Sequence, residues 1–467
     1  MYQLGAESLW SDEGASLRAS ILEGPAEIVE RAKTIPTHPI HDLFLHYWVA
    51  LFGDSEFSLR FPSVLAGLLG VFMMYKVGSL LFGRGVGLMA SLILAMSPFH
   101  IQYSQEARGY SLEALLALIS FYCFIKIFRK RELTVQVGYV LSTITLMYSH
   151  AYSLFIVLAQ NIYFAAIFLS RTFGSRNEAR PSLGRWMVLQ ALLIVLYIPG
   201  LILLAIWLSR TTSRSWIPST SFASVYGDLV EYAGSPLLLA LLLIFALLAG
   251  VALLRSGAAD NLFLLLAWFM TPVVLPMVVS SFSTPIFHPR YGIAGSLALY
   301  LLAAKGVEVA SDAFSKGSFG GIPKASKART VWLTAAAVLI VLFSVELWSY
   351  YNTVKKPQWR EAAQYLDTHA QTDDLVLVEG YTSHETLFEY YSKSTDVETV
   401  ITGTSGGGEA MEPGVEAHDR VWVVKPYIFD NGSGSKQSVS ESVFEKGHTP
   451  VEHEQYEKID LILYEKR

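Results

Sequence analysis

From about residue 58 to residue 350 the chain is a succession of apolar runs near twenty residues long, separated by short polar stretches. At a rise of about 1.5 Å per residue, a helix of that length crosses a hydrocarbon core of ~30 Å. Ten such helices are predicted, at 58–82, 86–103, 109–128, 134–152, 153–170, 186–208, 235–254, 262–282, 291–304 and 331–350. The 291–304 segment is short and is expected to begin a few residues earlier. Outside this region the pattern changes. Residues 1–57 are polar enough to stand in water, with short helices expected from Glu23 to Lys33 and from Pro39 to Phe52. The second carries Leu43, Phe44, Tyr47, Trp48 and Leu51 on one side, which suits a helix lying in the membrane interface or one facing a protein core. Beyond Lys355 helical and alternating patterns follow one another. Helices are predicted from Gln358 to Ala370 and His384 to Tyr391, with strands from Asp374 to Glu379, Val421 to Lys425 and Ile459 to Glu465.

These patterns predict a polytopic α-helical membrane protein with three parts: an outer loop at 1–57, a helical bundle at 58–350 and a small C-terminal α/β domain at 355–467. Composition agrees. Only 16% of the residues are charged, against roughly 25% in soluble proteins. The single cysteine, Cys123, lies inside a predicted span, so neither an intrachain disulfide nor a cysteine-based metal knuckle can form. A net charge of −5 without a basic face excludes nucleic acid as a partner.

Charge sorts the loops into two alternating sets. Arg84, Arg129-Lys130-Arg131, Arg171, Arg176, Arg180, Arg185, Arg255, Lys305, Lys316, Lys324, Lys327 and Arg329 fall in one set, which is expected on the cytoplasmic side. The opposite set comprises 1–57, the turns at 99–108 and near 150, the loop 209–234, the turn 283–290 and the tail. Residues 1–57 carry nine acidic against three basic residues, and 352–467 carry 21 against 11, as suits the outer side of the cytoplasmic (inner) membrane. Met1 leads directly into an outward segment, so a further apolar span is expected upstream, with its N-terminus in the cytoplasm.

The same parity gathers Asp12, Glu13, His38, Glu106, Arg108, Tyr110, His150, His288 and Arg290 on one face. A charge at the centre of a membrane helix costs about 2.5–3.5 kcal/mol, so charges retained near spans line polar cavities. Asp12 and Glu13 are adjacent and therefore point in different directions. One can serve as a base while the other holds position or a metal, and a helix N-cap at Asp12 is the alternative. Arg108 is well placed to grip a phosphate with Glu106 steadying its fork, or the two close the turn as an ion pair. Arg290, in His288-Pro289-Arg290-Tyr291, offers a second cation, or snorkels to lipid headgroups. His38, His150 and His288 are weaker substrate-binding candidates. No HxxxH, HExxH or CxxC spacing appears, so no metal ligands are assigned, although a divalent metal stays open as a cofactor. Gly406-Gly407-Gly408 and Asn431-Gly432-Ser433-Gly434 read as loops, because no helix start with a phosphate-binding Lys follows them.

Several of these motifs occur together in one family. Leu9-Trp10-Ser11-Asp12-Glu13, Thr37-His38-Pro39, the run from Phe52-Gly53-Asp54 to Arg60-Phe61-Pro62-Ser63, Ser97-Pro98-Phe99-His100, the run from Tyr103 to Tyr110, and Pro289-Arg290-Tyr291 resemble the bacterial GT-C glycosyltransferases of the protein-mannosyltransferase and aminoarabinose-transferase-like type. Lys356-Pro357-Gln358-Trp359-Arg360-Glu361-Ala362-Ala363 resembles the opening of their periplasmic domain. The likeness covers most of the chain and is most specific in the first 130 residues. It implies a GT-C-like fold and transfer of a sugar from a polyprenyl-phosphate donor to an extracytoplasmic acceptor, whether protein, lipid or glycan. By analogy Asp12 is the catalytic base and Glu13 its partner, while Arg108 and Arg290, with Glu106, Tyr110 and Tyr291, hold donor phosphate or lipid headgroup. Two departures stand out: the family's usual first helix is absent, and Ile40 replaces the second proline of its His-Pro-Pro.

The residues agree with this chemistry. A lipid-phosphate sugar already carries a good leaving group, so the enzyme must deprotonate a hydroxyl and stabilise a departing anion. Two other functions compete. A flippase for lipid-linked sugars would place charges at the midplane and show repeated halves, which this chain does not. A non-catalytic membrane partner protein would use the outer loop and tail for binding.

Overall fold

The computed structural model describes residues 3–33, 39–129, 132–173, 182–210, 217, 221–315, 324–393, 398–401, 414–427, 443 and 446–467. His38, Lys130, Arg131, Arg176, Arg180, Lys316 and the glycine runs at 406–408 and 431–434 lie outside the described residues. In chain order the helices are α1 (Ser11–Ile21), α2 (Pro25–Arg31), α3 (Pro39–Phe52), α4 (Glu56–Phe82), α5 (Arg84–Met96), α6 (Pro98–Ser104) and α7 (Tyr110–Arg129). They continue as α8 (Leu133–Ser149), α9 (Ser153–Phe173), α10 (Leu183–Leu196), α11 (Ile198–Arg210), α12 (Phe222–Ala233), α13 (Pro236–Arg255), α14 (Ala259–Phe269), α15 (Leu275–Phe282), α16 (Ile293–Ser315) and α17 (Lys324–Asn352). The C-terminal residues form α18 (Trp359–His369) and α19 (Thr382–Tyr391), and strands β1 (Leu375–Val378), β2 (Glu398–Ile401), β3 (Arg420–Pro426), β4 (His448–Tyr456) and β5 (Ile459–Lys466). The chain divides into two compact units, one of residues 1–26, 42–60 and 351–467, the other of residues 27–41 and 61–350.

The second unit is the membrane bundle. Among the described residues seven helical segments are long and apolar enough to cross a bilayer, or up to nine if each of two bent pairs is one span. The bends fall where the sequence predicted straight helices. The segment expected at 86–103 breaks by 63° between α5 and α6, because Pro98 has no N–H to continue the ladder and the Ser97 hydroxyl accepts from the His100 N–H instead. The segment expected at 186–208 breaks by 58° between α10 and α11, just before Pro199. The segment expected at 134–152 is α8, only 17 residues long and thus roughly 25 Å, closed by the turn at His150. A π-helical turn, Met270–Val274, containing Pro272, joins α14 to α15.

Helix α16 is the axis of this unit, buried over most of its length. Its Gly306 faces α13 so closely that an added Cβ would lie 1.9 Å from the Phe245 carbonyl oxygen, so only glycine permits this crossing. Large apolar side chains such as Leu68, Phe72, Leu247 and Val345 are exposed on the outside, as expected where lipid is the solvent. Inside, an uncharged polar chain ties four helices. Ser120 of α7 bonds Thr143 of α8 (2.8 Å) and accepts from Gln160 of α9 (2.8 Å), whose Oε1 accepts from Tyr139 of α8 (2.9 Å). Gln190 of α10 donates to that Tyr139 hydroxyl (3.2 Å) and accepts from Asn161 (3.0 Å), which in turn accepts from Trp186 (3.0 Å).

The first unit contains a five-stranded sheet in the order β2-β1-β3-β5-β4. β1 runs parallel to β2 and β3, whereas β5 is antiparallel to β3 and β4. Leu375, Leu377, Val421, Val423 and Tyr464 form its core. Asp374, just before β1, accepts from Arg420 Nε (2.9 Å) and Trp422 Nε1 (2.8 Å), which locks β1 beside β3. β2 and β4 were not predicted. Both are edge strands, one only four residues long and the other rich in polar residues (His448-Thr449-Pro450-Val451-Glu452-His453-Glu454), so neither shows a strong alternating pattern. Helix α1 was also not predicted. Its N-cap is Trp10, not Asp12, so both acidic residues fall in its first turn.

Candidate functional site

In the first unit the acidic pair opens α1. The helix begins because Trp10 is extended and its backbone N–H donates back to Glu13 Oε2 (3.3 Å), which fixes the first turn. Glu13 is completely buried. Arg60 meets it in a fork, Nε to Oε1 at 2.8 Å and Nη2 to Oε2 at 2.9 Å, and Lys356 Nζ reaches Oε2 at 2.9 Å. The other Arg60 N–H groups donate to the carbonyls of Leu4 (2.8 Å), Glu7 (2.9 Å) and Ser8 (3.0 Å). Both Glu13 oxygens are thus held by cations, which makes it a strong clamp. Asp12 lies about 100° away around the same helical turn and is half-buried.

In the second unit the remaining described candidates converge. Ser97 Oγ bonds the Tyr300 hydroxyl (3.0 Å), Tyr300 donates to the Tyr232 carbonyl, and the Tyr232 hydroxyl donates to the Pro289 carbonyl (3.0 Å). This chain joins the α5–α6 break, α12 and α16 to the 3-10 turn Pro289–Gly292, which carries Arg290 and Tyr291. The Arg290 guanidinium, 8% exposed, sits 5.7 Å from the Tyr110 ring centre and 5.5 Å from that of Tyr291. His150 lies 4.9 Å from Tyr291 and 6.0 Å from Tyr110, and His288 lies 5.7 Å from Tyr291, ring centre to ring centre. Arg108 and Arg290 both lie within electrostatic range of His150. Arg108 is held through its backbone: its N–H donates to the Glu106 carbonyl (2.8 Å), and Ser63 Oγ donates to its carbonyl (3.0 Å). Glu106 is buried and accepts from Gln102 at 3.5 Å.

Four members of this cluster were not foreseen. Glu113, 1% exposed, places Oε2 at 3.7 Å from His150 Nδ1. It lies three residues beyond Tyr110 on α7, so helical spacing could have found it. Tyr103 donates to Glu231 of α12 (3.3 Å), and Tyr152 donates to the Ile286 carbonyl. Nothing in the sequence links Glu231 or Tyr152 to these partners. Among the described residues no three His, Cys, Asp or Glu side chains gather in a way that could hold a metal ion.

Residues 36–207 match the family described as dolichyl-phosphate-mannose-protein mannosyltransferase. No curated protein matches the chain in sequence. Among solved structures, ArnT from Cupriavidus metallidurans in its apo state is similar over 99% of this chain and 95% of its own, with 12% identity and a TM-score of 0.57. The same protein bound to undecaprenyl phosphate gives 13% identity and a TM-score of 0.54, over the same shares of the two chains. The Archaeoglobus fulgidus oligosaccharyltransferase in the apo form is similar over 90% of this chain and 66% of its own, with 11% identity and a TM-score of 0.56.

Proposed function

The chain is an integral membrane protein of the GT-C fold with the protein-mannosyltransferase pattern over residues 36–207, and on that footing we propose that it moves a sugar from polyprenyl phosphate to an extracytoplasmic acceptor. The observation that carries this reading is the pair of guanidinium groups in the bundle. Arg290 is buried against Tyr110 and Tyr291, and Arg108 acts on the same His150. A buried cation against two aromatic faces, with a second cation in the same bundle, fits an anionic lipid headgroup. The neighbour captured with undecaprenyl phosphate, and the archaeal oligosaccharyltransferase captured with dolichol-phosphate and an inhibitory peptide, support a lipid phosphate in that role.

In this mechanism Asp12 takes the proton of an acceptor hydroxyl as its oxygen forms a bond to the anomeric carbon of the sugar. The bond from that carbon to the phosphate oxygen breaks, and polyprenyl phosphate leaves with the electron pair. Arg108 and Arg290 stabilise the growing negative charge on the phosphate, and Glu13 holds the turn that carries Asp12. A positioned base of this kind contributes typically 10²–10⁴-fold. The distribution of Lys and Arg among the loops supports an active face outside the cytoplasmic membrane.

The test is transfer in nanodiscs from a labelled polyprenyl-phosphate-sugar fraction of the source membranes, with binding of undecaprenyl phosphate measured alongside. Arg290→Ala and Arg108→Ala should weaken that binding. Unchanged affinity in both variants would remove the phosphate-binding role.

A further inference from the structure

Helix α1 presents three different faces to its surroundings within the first unit. Glu13 turns toward Arg60, Asp12 stands about 100° from it, and a third stripe of Ser11, Gly14 and Arg18, at i, i+3 and i+7, meets α19. Ser11 Oγ lies 2.9 Å from His384 Nε2 and 3.4 Å from Ser383 Oγ. An added Cβ on Gly14 would lie 2.7 Å from Leu387 Cγ and 2.7 Å from the Ser383 carbonyl oxygen, so the two helices touch backbone to backbone here. Arg18 donates to Thr386 at 3.4 Å. The approach to the helix is held from the same side, since the Leu9 N–H donates to the Tyr391 hydroxyl (2.8 Å) and Ser8 bonds Glu361 (3.1 Å).

His384 is built for this contact. It is 3% exposed, packs 5.3 Å from Trp359, and has its second nitrogen 3.2 Å from the Glu379 carbonyl oxygen. Its ring therefore has one orientation, and Ser11, the residue directly before Asp12, is what that orientation serves.

We infer that His384 is a positioning residue for the transfer reaction: through Ser11 it fixes the rotation and height of α1, and so the place of the Asp12 carboxylate. The C-terminal domain then takes part in positioning the base. Misplacing a reacting group by 1 Å can cost about 100-fold in rate. The inference rests on the glycosyltransferase reading above, with Asp12 as base.

The experiment uses the full chain in nanodiscs, with three readouts: transfer from the labelled polyprenyl-phosphate-sugar fraction, affinity for undecaprenyl phosphate, and amide hydrogen exchange across residues 11–21. His384→Ala should lower kcat about 10- to 100-fold, leave undecaprenyl phosphate affinity within about twofold, and speed exchange in α1. His384→Gln, whose amide reaches the place of Nε2, should restore kcat to within about threefold and slow the exchange again. Ser11→Ala should reproduce the histidine loss, and the double variant should be no worse than either single one. This milder variant keeps the test open if His384→Ala does not fold. Faster exchange in α1 with unchanged kcat overturns the positioning role, as does a parallel loss of kcat and affinity that glutamine does not repair. A wild-type chain that transfers nothing while its α1 still responds to His384 overturns the glycosyltransferase reading, and the role assigned to His384 falls with it.

Discussion

Arg60 and Glu13 form a two-point ion pair, 2.8 and 2.9 Å, with the arginine 2% exposed and the carboxylate 0%. The sequence separates them by 47 positions, yet the pair decides which of two adjacent acids is bound to Arg60. Its three backbone carbonyl acceptors gather residues 4–8 under the start of α1, so one guanidinium organises the whole N-terminal turn.

Removing Glu13 takes the paired carboxylate from the buried Arg60 guanidinium, which costs about 3–5 kcal/mol. Glu13→Gln is expected to destabilise the first unit by about that amount and so lower its midpoint, and Arg60→Met by less, because Lys356 still faces Glu13. Thermal unfolding in nanodiscs checks this, and a loss below about 1 kcal/mol would show that the pair is not the clamp described.

Asp12→Asn keeps size and shape but cannot accept the acceptor's proton. Transfer should fall by 100-fold or more, in the range typical for a lost general base, while undecaprenyl phosphate still binds. Turnover near the wild-type value would assign the base to another group.

Arg290→Lys retains the charge and loses the planar face that lies against Tyr110 and Tyr291. It should therefore bind undecaprenyl phosphate more weakly than wild type, though more tightly than Arg290→Ala. Equal affinity of the lysine variant and wild type would mean that charge alone matters at this position.

The polar chain inside the bundle predicts a smaller effect. Gln160→Leu removes the acceptor of the Tyr139 hydroxyl and one of the two partners of Ser120, and interhelical bonds of this kind are worth about 0.6–1.7 kcal/mol. A lowered thermal midpoint with transfer intact is the expected outcome. Loss of transfer without loss of stability would link the network to catalysis.

Burial lowers the pKa of His384 from its ordinary value, with partial compensation from the Glu379 carbonyl. In the unfolded chain the group titrates near about 6.5. Its contribution to stability is complete above that value and is lost as the pH falls below it toward the lower folded-state pKa, because the unfolded chain binds the proton first. The first unit should melt at a lower temperature near about pH 5.5 than near about pH 7.5, and His384→Gln should flatten that slope. Identical slopes in the two proteins would place the pH response elsewhere.

Much was legible from one-dimensional pattern. Apolar run length locates most of the spanning segments, although it predicts ten where seven helical segments, or up to nine with the bent pairs, are long and apolar enough among the described residues. Ser-Pro at 97–98 and Pro199 carry the signals for the two bends, but the apolar composition continues through both and hid them. Counting helices puts the motif residues Arg108, Tyr110, His150 and Arg290 on one face, and in the bundle they occupy one neighbourhood. The edge strands β2 and β4 left little trace, because their order comes from pairing with β1 and β5 and not from a buried face of their own.

The sequence by itself determined that the chain dissolves in lipid, roughly where it crosses, and which ionisable groups were worth keeping there, because each of these follows from the cost of taking polar atoms out of water. It could not say which of Asp12 and Glu13 is spent on structure, nor that His384 holds Ser11. Those outcomes depend on contacts between residues 47 and 373 positions apart, and only tertiary packing brings such groups within hydrogen-bonding distance.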